Sequence, residues 1–402
     1  MPNEGSAYKM SAQLPPAQRK LRFGIVGGGG GGFIGPVHML AARMDNRYEL
    51  LAAAPSSRPD VAVEAGREWF LSPERVYSDY RQMAAAEAAR SDGIEVVAIA
   101  TPNHLHYDAV CAFLDAGINV ICDKPLTTTL ELAVDLVRRV RQTGLSLFVT
   151  HAFAAYPMVR QARAMVGDGK LGNIRLVHVE FMQDWLTRPI DRTGDKHAAW
   201  RTDPAKSGLG EAVADIGTHA YHLARFVARQ EVASLSATLL TVVPGRRLDD
   251  NAHLRMTFDN GAQGTMIVSQ TAPGNECGLR IRIYGDEAGL EWRQEEPNYL
   301  RFSLQGQSVR TLARGEAELG TAAQRMSRVP RGHPEGYLEA FANLYSEAAV
   351  AIEARLQGLA APVSVECASV EDGAIGVGFI EAAIKSSQTG GSWIDPRVRA
   401  MN

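Results

Sequence analysis

The chain has 402 residues, of which 46% are hydrophobic and 22% charged, and these ordinary globular proportions favour two domains. The formal net charge is −3, no block of basic residues occurs and no run of about 18 apolar residues is present, which argues against nucleic-acid or membrane partners. The 4 cysteines lack CxxC spacing and the 10 histidines lack ligand spacing, so we expect no metal site, no disulfide framework and a cytoplasmic location.

The first part of the chain alternates short apolar runs with helical patterns. Residues 1–20 lack the apolar core of a secretory signal and are interpreted as a flexible arm. Thr128 precedes Glu131 by three residues, which is the spacing of a capping box. The alternation predicts a doubly wound parallel sheet, a Rossmann-type domain over residues 21–150. The predicted strands are 22–26, 49–53, 95–100, 119–122 and 145–150, and the predicted helices are 36–44, 60–70, 107–116 and 129–141.

After residue 150 longer stretches alternate polar and apolar residues. Asp259-Asn260-Gly261 between two of them is a hairpin signal. The pattern predicts an α+β domain over residues 151–402, built on an open, mostly antiparallel sheet. The predicted strands are 174–185, 234–243, 253–258, 262–270 and 279–284, and the predicted helices are 157–166, 215–228 and 333–356.

The first predicted strand runs into six glycines, residues 27–32, followed by Phe33, Ile34 and Gly35. Glycines between a strand and a helix let the backbone approach a pyrophosphate at the helix N-terminus. The regular GxGxxG spacing fits Gly30, Gly32 and Gly35, whereas counting from the strand end selects Gly27 and Gly29 and a longer loop, and both registers stay open. A flexible linker is the alternative. The cofactor-binding residues predicted here are Gly27, Gly29, Gly32, Phe33 and Ile34.

The second predicted strand is followed by Ser56, Ser57 and Arg58, with no carboxylate before Asp60. A dinucleotide domain that prefers NAD usually presents a carboxylate to the ribose hydroxyls, whereas hydroxyls and a guanidinium suit a 2′-phosphate. The segment favours NADP over NAD, and both remain open.

Three further motifs carry a resemblance to a known family. They are Ala100-Thr101-Pro102-Asn103-His104-Leu105-His106, Cys122-Asp123-Lys124-Pro125-Leu126 and Asp215-Ile216-Gly217-Thr218-His219. With the glycine loop, and over residues 22–393, the chain resembles the glucose–fructose oxidoreductase, inositol dehydrogenase and rhizopine-catabolism (Gfo/Idh/MocA) family. The resemblance implies a substrate-binding and oligomerisation role for the second domain, a sugar or cyclitol substrate and a homo-oligomer, either a dimer or a tetramer.

The resemblance assigns the catalytic roles to Lys124, Asp215 and His219. Lys124 matches the lysine of the family's Glu-Lys-Pro motif, with Asp123 in place of Glu, and an ammonium there stabilises a developing alkoxide. In the usual account His219, with an ordinary imidazole pKa of about 6.5, takes the hydroxyl proton and Asp215 binds sugar hydroxyls. Spacing alone leaves open whether Lys124 or His219 is the base. The peptide before Pro125 is expected to be cis.

The same resemblance places more residues around the site. Asn103 would serve the nicotinamide half of the cofactor, whereas His106 has a structural alternative as a helix cap. For His151 and Tyr156, packing is as good an interpretation as substrate contact, and Trp200 with Arg201 could form a platform for a sugar ring. The predicted cofactor contacts are Thr101, Pro102, Asn103, His106, Asp123 and Lys124, and the predicted substrate contacts are Lys124, His151, Tyr156, Trp200, Arg201, Asp215 and His219.

The sequence departs from the family pattern at two positions. Gly208-Leu209-Gly210-Glu211 stands where a glycine pair usually precedes the aspartate, and Ala152 replaces an Asn of a close subgroup. These departures bear on substrate identity. The sequence therefore predicts an NAD(P)-dependent oxidoreductase acting on a secondary alcohol of a sugar or inositol. A nicotinamide-dependent glycosidase and a non-catalytic nucleotide-binding protein are the alternatives.

Overall fold

The structure is a computed structural model that describes residues 19–401. Most of the predicted arm, residues 1–18, lies outside the described residues. Arg19, at its end, donates from Nη1 to Glu95 Oε2 at 2.6 Å. Within residues 19–401, no helix combines the length and the apolar character that a membrane span requires.

The first sheet confirms the predicted parallel architecture. Its five strands run in the order β2-β1-β3-β4-β5, and every neighbouring pair is parallel. The central strands are buried on both faces, which explains their unbroken apolar sequences. The strands are β1 (Leu21–Gly27), β2 (Tyr48–Ala54), β3 (Val96–Ala100), β4 (Asn119–Cys122) and β5 (Leu147–Val149).

The helices of this part follow the predicted alternation, with one addition and one correction. The sequence patterns did not predict α3. The capping residue of α5 is Thr129, whose side chain accepts from Leu132 N, and not Thr128, because the helix starts one residue later than the predicted box requires. The helices are α1 (Ile34–Met44), α2 (Pro59–Glu68), α3 (Tyr80–Ala88), α4 (His106–Asp115) and α5 (Leu130–Thr143).

The second sheet has eight strands in the order β13-β12-β11-β10-β6-β9-β8-β7. All its pairs are antiparallel except β6 with β9, so the predicted mostly antiparallel sheet is confirmed. The hairpin at Gly261 (φ 86°) is also confirmed. The strands are β6 (Ile174–Met182), β7 (Val232–Leu240), β8 (Asn251–Phe258), β9 (Gln263–Ser269), β10 (Gly278–Gly285), β11 (Ala288–Arg293), β12 (Tyr299–Leu304) and β13 (Arg310–Ala313), the last three not predicted.

A π-helical turn, Val213–Gly217, replaces the first part of the helix predicted over residues 215–228. Such turns are rare and frequently occur at functional sites. Asp215 lies in this turn, while His219 belongs to the α-helix that follows. The helices of this part are α6 (Pro157–Gly167), α7 (Lys196–Arg201), α8 (Pro204–Ser207), α9 (Thr218–Ala228) and α10 (Thr321–Arg325).

Two long helices near the end of the chain pack on the first sheet. In α11 (Tyr337–Leu356), Phe341 and Tyr345 share an apolar core with Phe23. In α12 (Val370–Gln388), which was not predicted, Val370 and Val377 belong to the core on the other side of that sheet. The chain leaves the first sheet near residue 150 and then forms the second, but α11 and α12 pack back on the first sheet. The assignment of residues 151–402 to one domain remains a prediction.

We predict that Phe341→Ala lowers the free energy of unfolding by about 3–5 kcal/mol, because a buried aromatic side chain is replaced by a cavity. Phe341 is 1% exposed and meets the His38 ring edge-on at 5.1 Å. Leu356→Ala, on a 46% exposed side chain of the same helix, is the control and should change the free energy of unfolding by less than about 0.5 kcal/mol. Urea unfolding followed by fluorescence measures both. Equal stabilities would contradict the packing of α11 on the first sheet.

Candidate active site

The structure brings Lys124 and Asp215 together across the two halves of the chain. Lys124 follows strand β4, and its Nζ lies 2.7 Å from Asp215 Oδ1. The same ammonium donates to the main-chain oxygen of Asp215 at 2.6 Å. The Lys124–Pro125 peptide bond is cis, as expected. Two of the three ammonium protons are thus engaged, and one is left for another acceptor.

Asp215 is held by partners from three directions. Besides Lys124, Gln270 Nε2 donates to its Oδ2 at 2.9 Å, and Arg201 Nε lies 3.5 Å from the same oxygen. Burial on its own would raise the pKa of Asp215, but the Lys124 and Arg201 cations and the hydrogen bonds from Lys124 and Gln270 hold it well below its usual range. Asp215 is therefore a carboxylate that fixes two cationic side chains.

His219 lies four residues after Asp215 in an enclosed, largely apolar setting. Its ring meets Phe153 edge-on at 4.7 Å, and its Nδ1 is buried without a hydrogen-bond partner. Burial and then the nearby Lys124 ammonium lower the pKa of His219 well below 6.5. The expectation of an ordinary imidazole pKa is therefore corrected. The side chain is neutral at physiological pH and can accept a proton.

His151 packs against two other imidazole rings. Its ring meets His219 edge-on at 5.5 Å and stacks on His222 at 4.2 Å, with 4° between the planes. Burial, followed by the charge of Arg225, lowers the pKa of His222 to about 3, and burial likewise depresses that of His151. The three neutral rings form one cluster, in which His151 and His222 lie on one side of the candidate base His219.

Tyr156 belongs to the core of the second sheet. It is 1% exposed and packs on Trp292, with ring centroids 5.2 Å apart. Its hydroxyl accepts a long hydrogen bond from Gln294 Nε2 at 3.5 Å. The structure thus gives Tyr156 a packing environment, and its predicted contact with a substrate stays a prediction.

Trp200 and Arg201 lie on α7, and the arginine reaches the site. The Arg201 guanidinium carbon is 4.4 Å from the Trp200 ring centroid and 5.7 Å from that of Trp185. Such stacking holds the guanidinium in place. Arg201 thus lies over one face of the Trp200 ring and approaches Asp215, and the sugar platform stays a prediction.

The steric surroundings of the glycine loop favour one of the two registers. A Cβ on Gly27 would lie 2.4 Å from Ala100 O, and one on Gly35 would lie 2.3 Å from Gly28 Cα. Gly29 donates to Pro55 O at 3.1 Å, whereas a Cβ on Gly31 would meet open space. These close approaches favour the register that starts at Gly27 and Gly29. The loop leaves its backbone amides at the start of α1, whose first turn has no acidic residue, and this fits a pyrophosphate.

The loops after β3 and β4 are tied together beside Lys124. His106 lies between two carbonyl oxygens, with Nδ1 2.9 Å from Pro125 O and Nε2 2.8 Å from Thr101 O. Asn103 donates to Ser207 O at 3.1 Å, and Thr101 Oγ1 is buried without a partner. His106 therefore connects the two loops, in agreement with its structural alternative.

Asp123 is directed into the core. Its Oδ1 accepts from Thr150 Oγ1 at 2.6 Å and lies 3.1 Å from His38 Nε2. These contacts fix the residue that precedes Lys124 in the chain. Its predicted contact with a cofactor stays a prediction.

The segment after β2 is exposed and already contains an ion pair. Arg58 Nη2 lies 2.6 Å from Asp60 Oδ2, and Arg58 N donates to Ser56 Oγ at 3.1 Å. The hydrogen bond from Arg58 lowers the pKa of Asp60, which remains a carboxylate. Any 2′-phosphate at Arg58 would meet this negative charge.

Sequence reasoning missed three residues of the site. Gln270 carries no motif and is identified only by its contact with Asp215. Tyr337 stacks on Phe33 at 6.5 Å and lies 6.1 Å from Phe153, so it joins the glycine loop to the surroundings of His219. Glu211 was noted only as a departure from the family pattern, and this departure was the one available signal.

Comparisons with known proteins identify relatives of both parts of the chain. A family model described as an oxidoreductase family with an NAD-binding Rossmann fold matches residues 21–151, and one described as a GFO/IDH/MocA C-terminal domain matches residues 159–291. The uncharacterized oxidoreductase YfiI of Bacillus subtilis is 34% identical over 391 residues, which are 94% of this chain and 97% of YfiI.

Solved structures extend the likeness over both sheets. An oxidoreductase from Sinorhizobium meliloti is 48% identical, with a TM-score of 0.85 over 94% of this chain and 100% of the other. An inositol dehydrogenase homolog from Azotobacter vinelandii, in complex with NADH and myo-inositol, is 36% identical, with a TM-score of 0.88 over 94% and 98% of the two chains.

We predict that His219 titrates well below 6.5, because burial and the Lys124 ammonium disfavour its cationic form. NMR observation of the imidazole signals against pH measures this directly. Lys124→Met removes the cation that lowers the His219 pKa and should raise that pKa, while Lys170→Met, on an exposed lysine, should leave it unchanged. A His219 that titrates at 6.5 or above in the unaltered protein would refute the electrostatic description of the site.

Proposed function

The chain belongs to the Gfo/Idh/MocA family of oxidoreductases, and from this premise we propose that it transfers a hydride between a nicotinamide and a secondary alcohol carbon of a sugar or cyclitol. The observation that carries the proposal is the 2.7 Å contact between Lys124 Nζ and Asp215 Oδ1 beside the neutral His219. A fixed ammonium and a neutral imidazole are the groups that alcohol oxidation needs.

The nicotinamide cofactor would be held by the glycine loop and the two neighbouring loops. The close approaches at Gly27, Gly29 and Gly35 provide the cradle for its pyrophosphate. Thr101 Oγ1, buried without a partner, and Asn103 border the same edge of the first sheet. When bound, the cofactor supplies the hydride acceptor for alcohol oxidation.

Lys124 and His219 divide the remaining chemistry. The third N–H group of the Lys124 ammonium donates a hydrogen bond to the substrate oxygen and stabilises its developing negative charge. His219 accepts the hydroxyl proton, and we assign the proton to Nε2 because Nδ1 is enclosed by protein. Asp215 orients Lys124 through their 2.7 Å contact. In the reverse reaction, protonated His219 returns the proton to the alkoxide.

For the cofactor we propose NAD(H) over NADP(H), which reverses the expectation drawn from Ser56, Ser57 and Arg58. Asp60 forms an ion pair with the Arg58 guanidinium, with 2.6 Å between Asp60 Oδ2 and Arg58 Nη2, and it remains negatively charged. This charge disfavours a 2′-phosphate at Arg58. The Azotobacter vinelandii relative that was crystallised with NADH supports the same choice.

We also propose that the protein is a homo-oligomer that associates through the outer face of its second sheet. That face carries linked charges, with Arg280 Nη2 2.5 Å from Glu291 Oε2 and Arg280 Nη1 3.5 Å from Glu180 Oε1. It also exposes apolar side chains, 41% of Leu176 and 39% of Ile267. Such a mixture of apolar and charged groups suits a protein interface.

We predict that Lys124→Ala lowers kcat by about a hundredfold or more while NADH binds within about twofold of normal, because the ammonium acts mainly on the transition state. His219→Ala should also lower kcat, and Lys170→Ala is the matched lysine control. The assay is the absorbance of reduced nicotinamide with a panel of pyranosides and inositols. Near-normal turnover by Lys124→Ala would show that the site is wrongly assigned. Turnover without accumulating reduced cofactor would favour the glycosidase alternative.

For the cofactor, Asp60→Asn should tighten NADPH binding by about tenfold, because it frees Arg58 and removes a negative charge, and leave NADH within about twofold. Asp92→Asn breaks an exposed Arg–Asp pair of the same spacing, with Arg90 Nε 2.8 Å from Asp92 Oδ1, and is the control. Titration with both reduced cofactors provides the dissociation constants. Tighter binding of NADPH than NADH by the unaltered protein would exclude this preference.

A further inference from the structure

A cavity of about 710 Å³ opens beside the cluster of His151, His219 and His222, and His222 is the member of the cluster that lines it. Its walls come from α6, α9, residues 363–367 and the first turn of α12. Lys124 and Asp215 do not belong to these walls, so the cavity is separate from the candidate active site. Its volume is that of a cavity for a small organic ligand.

Two glutamates in the walls of the cavity are already paired with arginines. Glu231 accepts from Arg225 Nε at 2.6 Å through Oε2 and from Arg225 Nη2 at 2.7 Å through Oε1. Glu366 accepts from Arg163 Nε at 2.8 Å through Oε1 and from Arg160 Nη1 at 2.7 Å through Oε2. All four glutamate oxygens are thus engaged within the protein, and these contacts fix the arginines in place.

The arginines in the walls keep hydrogen-bond donors that the glutamates do not use. Arg163 uses Nε for Glu366 and Nη1 for Phe226 O, which leaves Nη2. Arg225 Nη1 lies 3.6 Å from Asp372 Oδ1, which is too long for a hydrogen bond. Cationic donors that remain free in a cavity favour an anionic ligand.

Arg229 adds an exposed guanidinium to the same walls. Within residues 19–401 its side chain makes no hydrogen bond and no ion pair. It packs on the end of α6, since a Cβ on Gly167 would lie 3.3 Å from the guanidinium carbon of Arg229. Arg229 ends α9 in the left-handed conformation, with φ 54°, where glycine is the common residue. The guanidinium is therefore held at the cavity and available to a ligand.

His222 is a buried polar side chain of the cavity wall without a hydrogen bond. It is 6% exposed, and neither ring nitrogen has a hydrogen-bond partner in the part of the chain that the structure describes. Its ring is fixed, because it stacks on His151 at 4.2 Å and on Phe226 at 5.7 Å. Buried polar groups of native proteins are nearly always paired, so this imidazole calls for a partner in the cavity that it lines.

The charges that act on His222 agree with an anionic ligand. Burial, followed by the cations Arg225, Arg160 and Arg163, lowers the pKa of His222 to about 3. The imidazole therefore stays neutral and offers one N–H donor. Its surroundings are electropositive although carboxylates also line the cavity, and a positive potential in a cavity attracts anions.

We propose that this cavity binds a phosphate group, either free or as the ester of a small metabolite, through Arg163, Arg229 and His222. The donors come from α6, from the middle of α9 and from its end. A tetrahedral phosphate presents oxygens in several directions and matches donors from separate elements, whereas a planar carboxylate matches the fork of one arginine. This ligand is distinct from the nicotinamide and the alcohol of the proposed function, and the site goes beyond that function.

The experiment is calorimetric titration of the protein with inorganic phosphate and with glycerol 3-phosphate. NADH is present at saturation, so that the glycine loop is occupied. We expect Arg229→Gln to weaken the binding of both probes at least about tenfold, because it removes a charge-assisted hydrogen bond. Arg229→Lys keeps the charge without the fork and should weaken binding less than Arg229→Gln.

The control variant is Arg67→Gln, on an exposed arginine of α2 that does not line the cavity. It should bind both probes within about twofold of the unaltered protein. NMR of the imidazole signals provides a second readout, because phosphate in the cavity should shift the signal of His222. That signal is assigned by its loss in His222→Gln. Tighter binding of glycerol 3-phosphate than of inorganic phosphate would identify an ester as the ligand, and equal affinities would identify free phosphate.

Three results would overturn the site. They are the absence of binding by either probe, equal binding by Arg229→Gln and the unaltered protein, and tighter binding of acetate than of phosphate. Should Arg229→Gln fail to fold, an unshifted His222 signal in the unaltered protein with phosphate overturns it alone. If NADH does not bind, the proposed function fails, and the comparison of the Arg229 variants still tests the cavity because they leave the glycine loop unchanged.

Discussion

The ion pair between Lys124 and Asp215 is the contact on which the rest of the site depends. Burying two charges is costly and is compensated only when the geometry is fixed and the remaining hydrogen bonds are made. The chain meets both conditions. On one side, Thr150 and His38 anchor Asp123 and thereby the residue that follows it. On the other, Gln270 and Arg201 hold the carboxylate. Because one partner follows a strand of the first sheet and the other lies in a turn against the second, the pair also connects the two parts of the chain.

The same pair shapes the chemistry of His219. Burial and the nearby Lys124 cation make a second positive charge unfavourable, so the imidazole stays neutral. A neutral imidazole beside an ammonium divides the work, since one group accepts the proton and the other stabilises the oxygen that loses it. His151 and His222 extend this neutral cluster away from the site. The fold thus brings three of the ten histidines, which are scattered in the sequence, into one buried environment.

The end of the chain completes the first sheet. Helices α11 and α12 cover its two faces, and the residue that begins α11, Tyr337, contacts both Phe33 of the glycine loop and Phe153 next to His219. One helix terminus therefore links the part of the site suited to a pyrophosphate with the part that carries the candidate base. This packing means that stability of the first sheet depends on residues nearly 200 positions away in sequence from its last strand.

Local patterns determined the parallel strands, the glycine loop, the antiparallel sheet and the hairpin at Gly261, because burial on two faces, burial on one face and tight turns each leave a periodic or compositional trace. Helix α12 was not predicted from the sequence, because it is apolar around most of its surface and so lacks an amphipathic stripe. Motif resemblance found Lys124, Asp215 and His219. The tertiary structure was needed to favour one register of the glycines and to show that Arg58 pairs with Asp60. It also showed that Tyr156 lies in a core and that Gln270 and Glu211 lie close to Asp215. These are relations between residues distant in sequence or between atoms in space, and steric contact, burial and electrostatic interaction act only once the chain has folded.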